Sequence, residues 1–150
     1  MHAASALVLS ARAAADIVDS HAAESDEREE LLTVTQGLRA QAKTDPFQPH
    51  PLFASRPAYS AAWAAETTRL AGKQSLDRWV SVASEWDGLS RPHDAAYGRW
   101  RAAQVALKTG HGSASLRLMR RAARDAREHI PLLAAITQTQ RHAQPRENRA

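Results

Sequence analysis

Apolar residues in this 150-residue chain recur every three or four positions, and no segment alternates at period two. Between Arg56 and Leu133 the pattern runs twice over. A shift of 37 positions carries Trp63 onto Trp100, Leu70 onto Leu107, Trp79 onto Leu116, Val82 onto Met119 and Trp86 onto Ala123. Each copy opens on an Arg-Pro pair, Arg56-Pro57 and Arg91-Pro92, and carries a glycine near its middle, Gly72 and Gly110. Period-3.6 stripes without period-2 alternation leave only helices, and a doubled stripe calls for units that stack.

Paired helices repeating at roughly 34 residues are tetratricopeptide-like, so the expected fold is all-α, built of tandem antiparallel helical hairpins. Aromatic residues make up only 5% of the chain and alanine dominates its apolar part, which favours closely approaching helices over a β-sandwich. Residues 1–44 are read as an N-terminal helical hairpin. Its first helix covers Ala4 to Asp19, and its second is capped by Ser25 and buries Leu31, Leu32, Thr35 and Leu38. Pro46, Pro49, Pro51 and Pro57 make residues 45–57 a connector laid over the helices to cover Phe47, Leu52 and Phe53.

Residues 58–140 hold two hairpins and a short last helix. The first hairpin pairs a helix over 58–71, stopped by Gly72, with one from Ser75 that buries Trp79, Val82, Ala83 and Trp86 and stops at Gly88. In the second, Pro92 sits in the first turn of a helix striped by Tyr97, Trp100, Ala103 and Leu107. Ser113 caps its partner, whose apolar line Leu116, Met119, Ala123, Ala126 and Ile130 ends near His129, a cation suited to a helix C-terminus. A seventh helix starts at Pro131, and residues 141–150 form a flexible tail, in which Gln144-Pro145-Arg146-Glu147-Asn148-Arg149 offers no apolar residue to offset ordering. Trp63, Trp79, Trp86, Gly88, Pro92, Tyr97, Trp100, Leu107 and Gly110 are thus structural residues.

Motifs for chemistry are missing. With no cysteine there is no disulfide, thiolate metal site or thiol nucleophile. Gly110-His111-Gly112 lacks the lysine and the preceding strand of a phosphate loop, no G-x-S-x-G elbow occurs, and the seven histidines form no H-E-x-x-H. The expectation is a noncatalytic protein without cofactor or metal. No apolar run approaches the roughly 20 residues of a membrane span, and the first twenty residues lack a basic signal start, so a cytoplasmic location is expected.

Charge is unevenly spread. Residues 1–45 carry four basic and eight acidic side chains, a balance of −4, and residues 46–150 carry sixteen basic and eight acidic, a balance of +8. Such asymmetry suits a basic surface facing an acidic partner, or an acidic N-terminal part packing on a basic C-terminal one. Arg117, Arg120, Arg121, Arg124 and Arg127 follow helical spacing away from Met119 and give that surface a place. Five guanidinium groups on one face contact phosphates or a carboxylate-rich protein. The plainer expectation is a solvated face in which Arg121 pairs with Asp125 and Arg124 with Glu128.

The run Trp79 to Trp86, then Asp87-Gly88-Leu89-Ser90-Arg91-Pro92, Ala95-Ala96-Tyr97-Gly98-Arg99-Trp100-Arg101 and Ala106-Leu107, resembles a W-x-x-L-G-x-P-x-x-x-A-Y-x-x-W-R pattern of large actinobacterial LuxR-type transcriptional regulators. The resemblance covers about Pro57 to Ala135. It implies the tetratricopeptide-like region that lies, in that family, between a P-loop ATPase and a DNA-binding helix-turn-helix. Neither of those domains has a counterpart here, so the resemblance implies a fragment or truncated regulator, and Gly88, Pro92, Tyr97 and Trp100 inherit structural roles only. The function implied is a noncatalytic scaffold that contacts the regulator's other domains or an acidic protein surface, with nonspecific nucleic-acid contact possible. A small basic all-α protein that binds nucleic acid directly through the arginine stripe is the alternative.

Overall fold

The computed structural model describes residues 3–144, a chain of seven helices. They are α1 (Ala3–Ser20), α2 (Ser25–Ala40), α3 (Arg56–Leu70), α4 (Leu76–Gly88), α5 (Pro92–Lys108), α6 (Gly112–Asp125) and α7 (Ile130–Ala143). No strand occurs among the described residues, as the period of the apolar pattern requires. The C-terminal helix runs past residue 140 to Ala143, and the rest of the expected tail, 145–150, lies outside the described residues.

Four helix ends share one device, a residue in the left-handed region whose successor bonds back across the last turn. After α3 it is Gly72 at φ 77°, with the Lys73 N–H donating to Thr68 O at 2.9 Å; after α5 it is Gly110 at φ 80°, with His111 N–H on Ala106 O at 2.8 Å. Alanine and serine fill the same role elsewhere. Ala22 adopts φ 49° after α1, and Ser90 adopts φ 54° after α4. The α4 stop is therefore Ser90 rather than Gly88, which stays within the helix, because the Arg91 N–H reaches Trp86 O and fixes the turn two residues further on.

The chain forms two compact units, Met1–Arg78 and Trp79–Ala150. In the first, α1 packs on both α2 and α3. Ala11 and Ala15 are fully buried on α1, and Ala58 and Ala65 on α3, so small side chains let the two backbones approach. Arg12 meets Glu66 and Asp16 meets Arg69, so α1 and α3 run in the same direction. The Arg69 guanidinium, 1% exposed, donates to Asp16 at 2.8 Å, Asp19 at 3.0 Å and Glu66 at 2.9 Å. Arg28 of α2 closes the end of α3, donating to Leu70 O at 3.2 Å and to Asp19 at 3.1 Å. Ala14, Ala15, Val18 and Leu70 form the apolar cluster of these helices, with Leu31 and Leu32 of α2 packed against it, and the buried charge at Arg69 and Glu66 adds a second tie between α1 and α3. Of the stripe expected on α2 only Thr35 is buried, while Leu38 is 41% exposed. Ser25 is the first helical residue and not the cap; Glu24 precedes it and makes no side-chain cap bond.

The connector divides as well. Phe47 is buried, its ring 5.6 Å from that of Trp63, and Arg39 lies 4.8 Å above the Phe47 ring. Leu52, expected to be covered, is 82% exposed.

In the second unit α5 packs along α6, and α7 touches both. The stripe on α5 differs from the expected one: Ala95, Ala96, Ala102, Ala103, Val105 and Ala106 are buried, whereas Tyr97, Trp100 and Leu107 are half-buried. Alanines hold the seam and the larger side chains flank it. The Trp100 indole turns toward α7, where its N–H donates to Thr139 Oγ1 at 2.9 Å. Helix α4 crosses α5 at Gly98; a side chain there would place its first carbon 3.1 Å from Ala83 N, so the backbone of α4 would have to give way to accept one. Trp79 and Trp86 are buried on α4, and the Trp79 ring meets Tyr97 edge-on at 6.0 Å.

Candidate functional site

Helix α6 carries the arginine stripe, and its register explains where the stripe faces. Ser115, Met119, Ala122 and, just past its end, Ala126 are buried. That line is one residue away from the expected Leu116, Ala123 and Ile130: Leu116 is 41% exposed and Ile130, which begins α7, is 78% exposed. The shift has a physical cause. Ser115 fits the alanine seam of α5 and donates its hydroxyl to Ala103 O at 2.8 Å, which the bulkier Leu116 could not do. Ser113 is not the cap either, since α6 starts at Gly112 after His111.

At 100° per residue the arginines lie opposite this buried line. Arg117, Arg120, Arg121, Arg124 and Arg127 are all exposed, and the structure brings the whole set to one surface. The pairings expected along the helix do not form. Asp125 turns inward and takes Arg99 Nη1 at 3.2 Å, and Arg121 reaches Asp87 of α4 at 3.4 Å. Arg99 is itself 5% exposed and also donates to Asp87. Two arginines and two aspartates thus balance, with Arg99 beneath the face and Arg121 on it. Above them Arg117, Arg120, Arg124 and Arg127 have no carboxylate within ion-pair distance among the described residues.

A cleft of about 470 Å³ opens beside the last turn of α6, between Pro92 and His93 at the start of α5 and Arg121, Arg124 and Arg127. The His93 and His129 rings meet edge-on at 5.6 Å. His129 does not sit at the end of α6 as expected; it caps α7, its Nδ1 accepting from the Leu132 N–H at 3.2 Å. Asp125 and Glu128 also line the cleft, so its cationic character comes from the open α6 face.

The surface is suited to binding anions by charge and by the fork geometry of guanidinium groups. It presents no nucleophile with a base behind it, and no group of three metal-ligating side chains occurs among the described residues. Among the described residues no helix is long and apolar enough to cross a membrane.

The stripe by itself does not point to Arg99 or Asp87, and it gives Asp125 to Arg121, where the structure gives it to Arg99. Arg99 did carry a signal, being four residues from both Ala95 and Ala103 and therefore on the alanine seam. Comparison with protein-family models, curated proteins and solved structures finds no match for this chain.

Proposed function

We propose that the chain is a noncatalytic helical interaction module, a tetratricopeptide-like scaffold segment of a LuxR-type transcriptional regulator, and that α6 is its docking face for an acidic protein surface. The single observation carrying this reading is the arginine face: four exposed guanidinium groups without partners among the described residues, on a helix whose opposite side is fully engaged in packing. Leaving that many cations unpaired on one face contributes nothing to the fold, whereas an anionic partner would neutralise them.

Support for stacked hairpins comes from the packing order, α1 on α2 and α3 in one unit, and α5 on α6 and α7 in the other. Within each unit three successive helices pack pairwise, α1, α2 and α3 in the first and α5, α6 and α7 in the second, the local arrangement from which hairpin solenoids are built. The resemblance of Trp79 to Leu107 to the regulator pattern supplies the family, and the chromosomal neighbourhood tests it: a P-loop ATPase frame upstream or a helix-turn-helix frame downstream is expected.

Direct nucleic-acid binding is the second reading, favoured by the same face. Its polar side chains are almost all arginine, which suits phosphates and offers few of the amide or hydroxyl groups that read base edges. Selection from a randomised duplex pool separates the two readings. The docking reading predicts no enriched sequence and a steep loss of affinity with salt; a sequence retained at physiological salt assigns the face to DNA.

A further inference from the structure

Helix α2 is the least covered helix of its unit. Only Thr35 is buried, while Val34 is 57% and Leu38 41% exposed, and Asp26 and Glu30 face solvent. Asp26, Glu30, Val34 and Leu38 stand four residues apart and so share a side of the helix, acidic at its start and apolar at its end. On α6 the order is reversed. Leu116, 41% exposed, opens a row continued by Arg120, Arg124 and Arg127.

Laid antiparallel, the two rows match position by position. Leu38 meets Leu116, Val34 lies under the aliphatic stem of Arg120, Glu30 faces Arg124 and Asp26 faces Arg127. We infer that the occupant of the α6 face is α2 of a second copy of this chain, docked antiparallel. Charge complementarity selects this occupant, because residues 1–45 hold an excess of four acidic side chains while α6 and its following turn expose five arginines. Burying Val34, Leu38 and Leu116 removes three exposed apolar side chains from water in the same contact. The inference rests on the reading of α6 as a protein-docking face and names its partner.

Sedimentation velocity on the full chain tests it. The parent should associate at 50 mM salt, with affinity falling at least about tenfold by 500 mM as the exposed pairs are screened. One variant reverses α6 (Arg120→Glu, Arg124→Glu) and another reverses α2 (Asp26→Arg, Glu30→Arg). Each alone should be monomeric, since its two faces carry the same sign, and an equimolar mixture should associate because both crossed contacts are again complementary. Far-UV circular dichroism checks that both variants keep parental helicity, and the parent's salt dependence holds as a test if either does not. A parent that is monomeric at every concentration and salt overturns the second-copy assignment, as does association that persists in both reversed variants. If that monomeric parent still binds fluorescein-labelled poly-L-glutamate through α6, the docking face stands and only its partner is wrong.

Discussion

Replacing Arg69 with alanine should be among the most damaging single changes in the first unit. The guanidinium is 1% exposed and Glu66 beside it is fully buried, so the deletion strands a carboxylate away from water. Arg12 remains 3.2 Å from Glu66 and offsets part of the loss. Asp16 and Asp19 are 53% and 35% exposed and return to solvent at little cost. Removing one partner of a buried pair costs about 3 to 5 kcal/mol. With a urea slope of roughly 1 to 3 kcal/mol per molar, the unfolding midpoint should fall by at least about 1 M. Urea titration followed at 222 nm measures it, and hydrogen exchange should place the lost protection in α1 and α3.

The double variant Glu66→Leu with Arg69→Met removes both buried charges and refills the volume. It should lie closer to the parent than Arg69→Ala does, since the desolvation penalty disappears with the pair. An Arg69→Ala midpoint equal to the parent's, or a double variant worse than the sum of its singles, would refute the view that buried charge ties α1 to α3.

Ser90→Gly and Ala22→Gly, at φ 54° and 49°, should each stabilise by roughly 1 kcal/mol through relief of left-handed strain, read as a higher urea midpoint. Gly98→Val should destabilise by about 2 to 3 kcal/mol, because its side chain must push Ala83 away; an unchanged thermal midpoint would show that α4 and α5 do not meet there. Trp100→Phe keeps an aromatic ring beside Tyr97 but frees Thr139, at a cost of about 1 kcal/mol in chemical denaturation.

Helix number and type were legible in the sequence because period-3.6 spacing survives even in an alanine-rich chain. Gly72, Gly110 and Pro92 punctuated the helices where expected, since a left-handed stop and a first-turn proline depend on local backbone alone. Register was less legible. On α5 and α6 the expected lines kept Ala103, Met119 and Ala126, but close packing filled the rest of the seam with small side chains such as Ala96, Ser115 and Ala122, and Tyr97, Trp100 and Leu116 were displaced to the flanks. Buried charge was least legible. The burial of Arg69 and Arg99 depends on carboxylates that the fold brings from other helices, Asp16 and Asp19 to Arg69 and Asp87 and Asp125 to Arg99. The arginine face was readable because α6 and the turn after it carry it all, whereas the Arg121 pair with Asp87 and the Arg99 pair with Asp125 depend on tertiary contacts.

The proposed role requires that the α6 arginines serve a partner and not the fold. Arg117→Gln, Arg120→Gln and Arg124→Gln together leave Arg121 on Asp87 and the buried line of α6 untouched. The decisive measurement pairs thermal unfolding of this triple variant with its binding to fluorescein-labelled poly-L-glutamate at 0.15 M salt. A docking face predicts a stability change within about 0.5 kcal/mol per site and loss of binding. Unfolding of the variant, or parental binding without the three guanidinium groups, would contradict it.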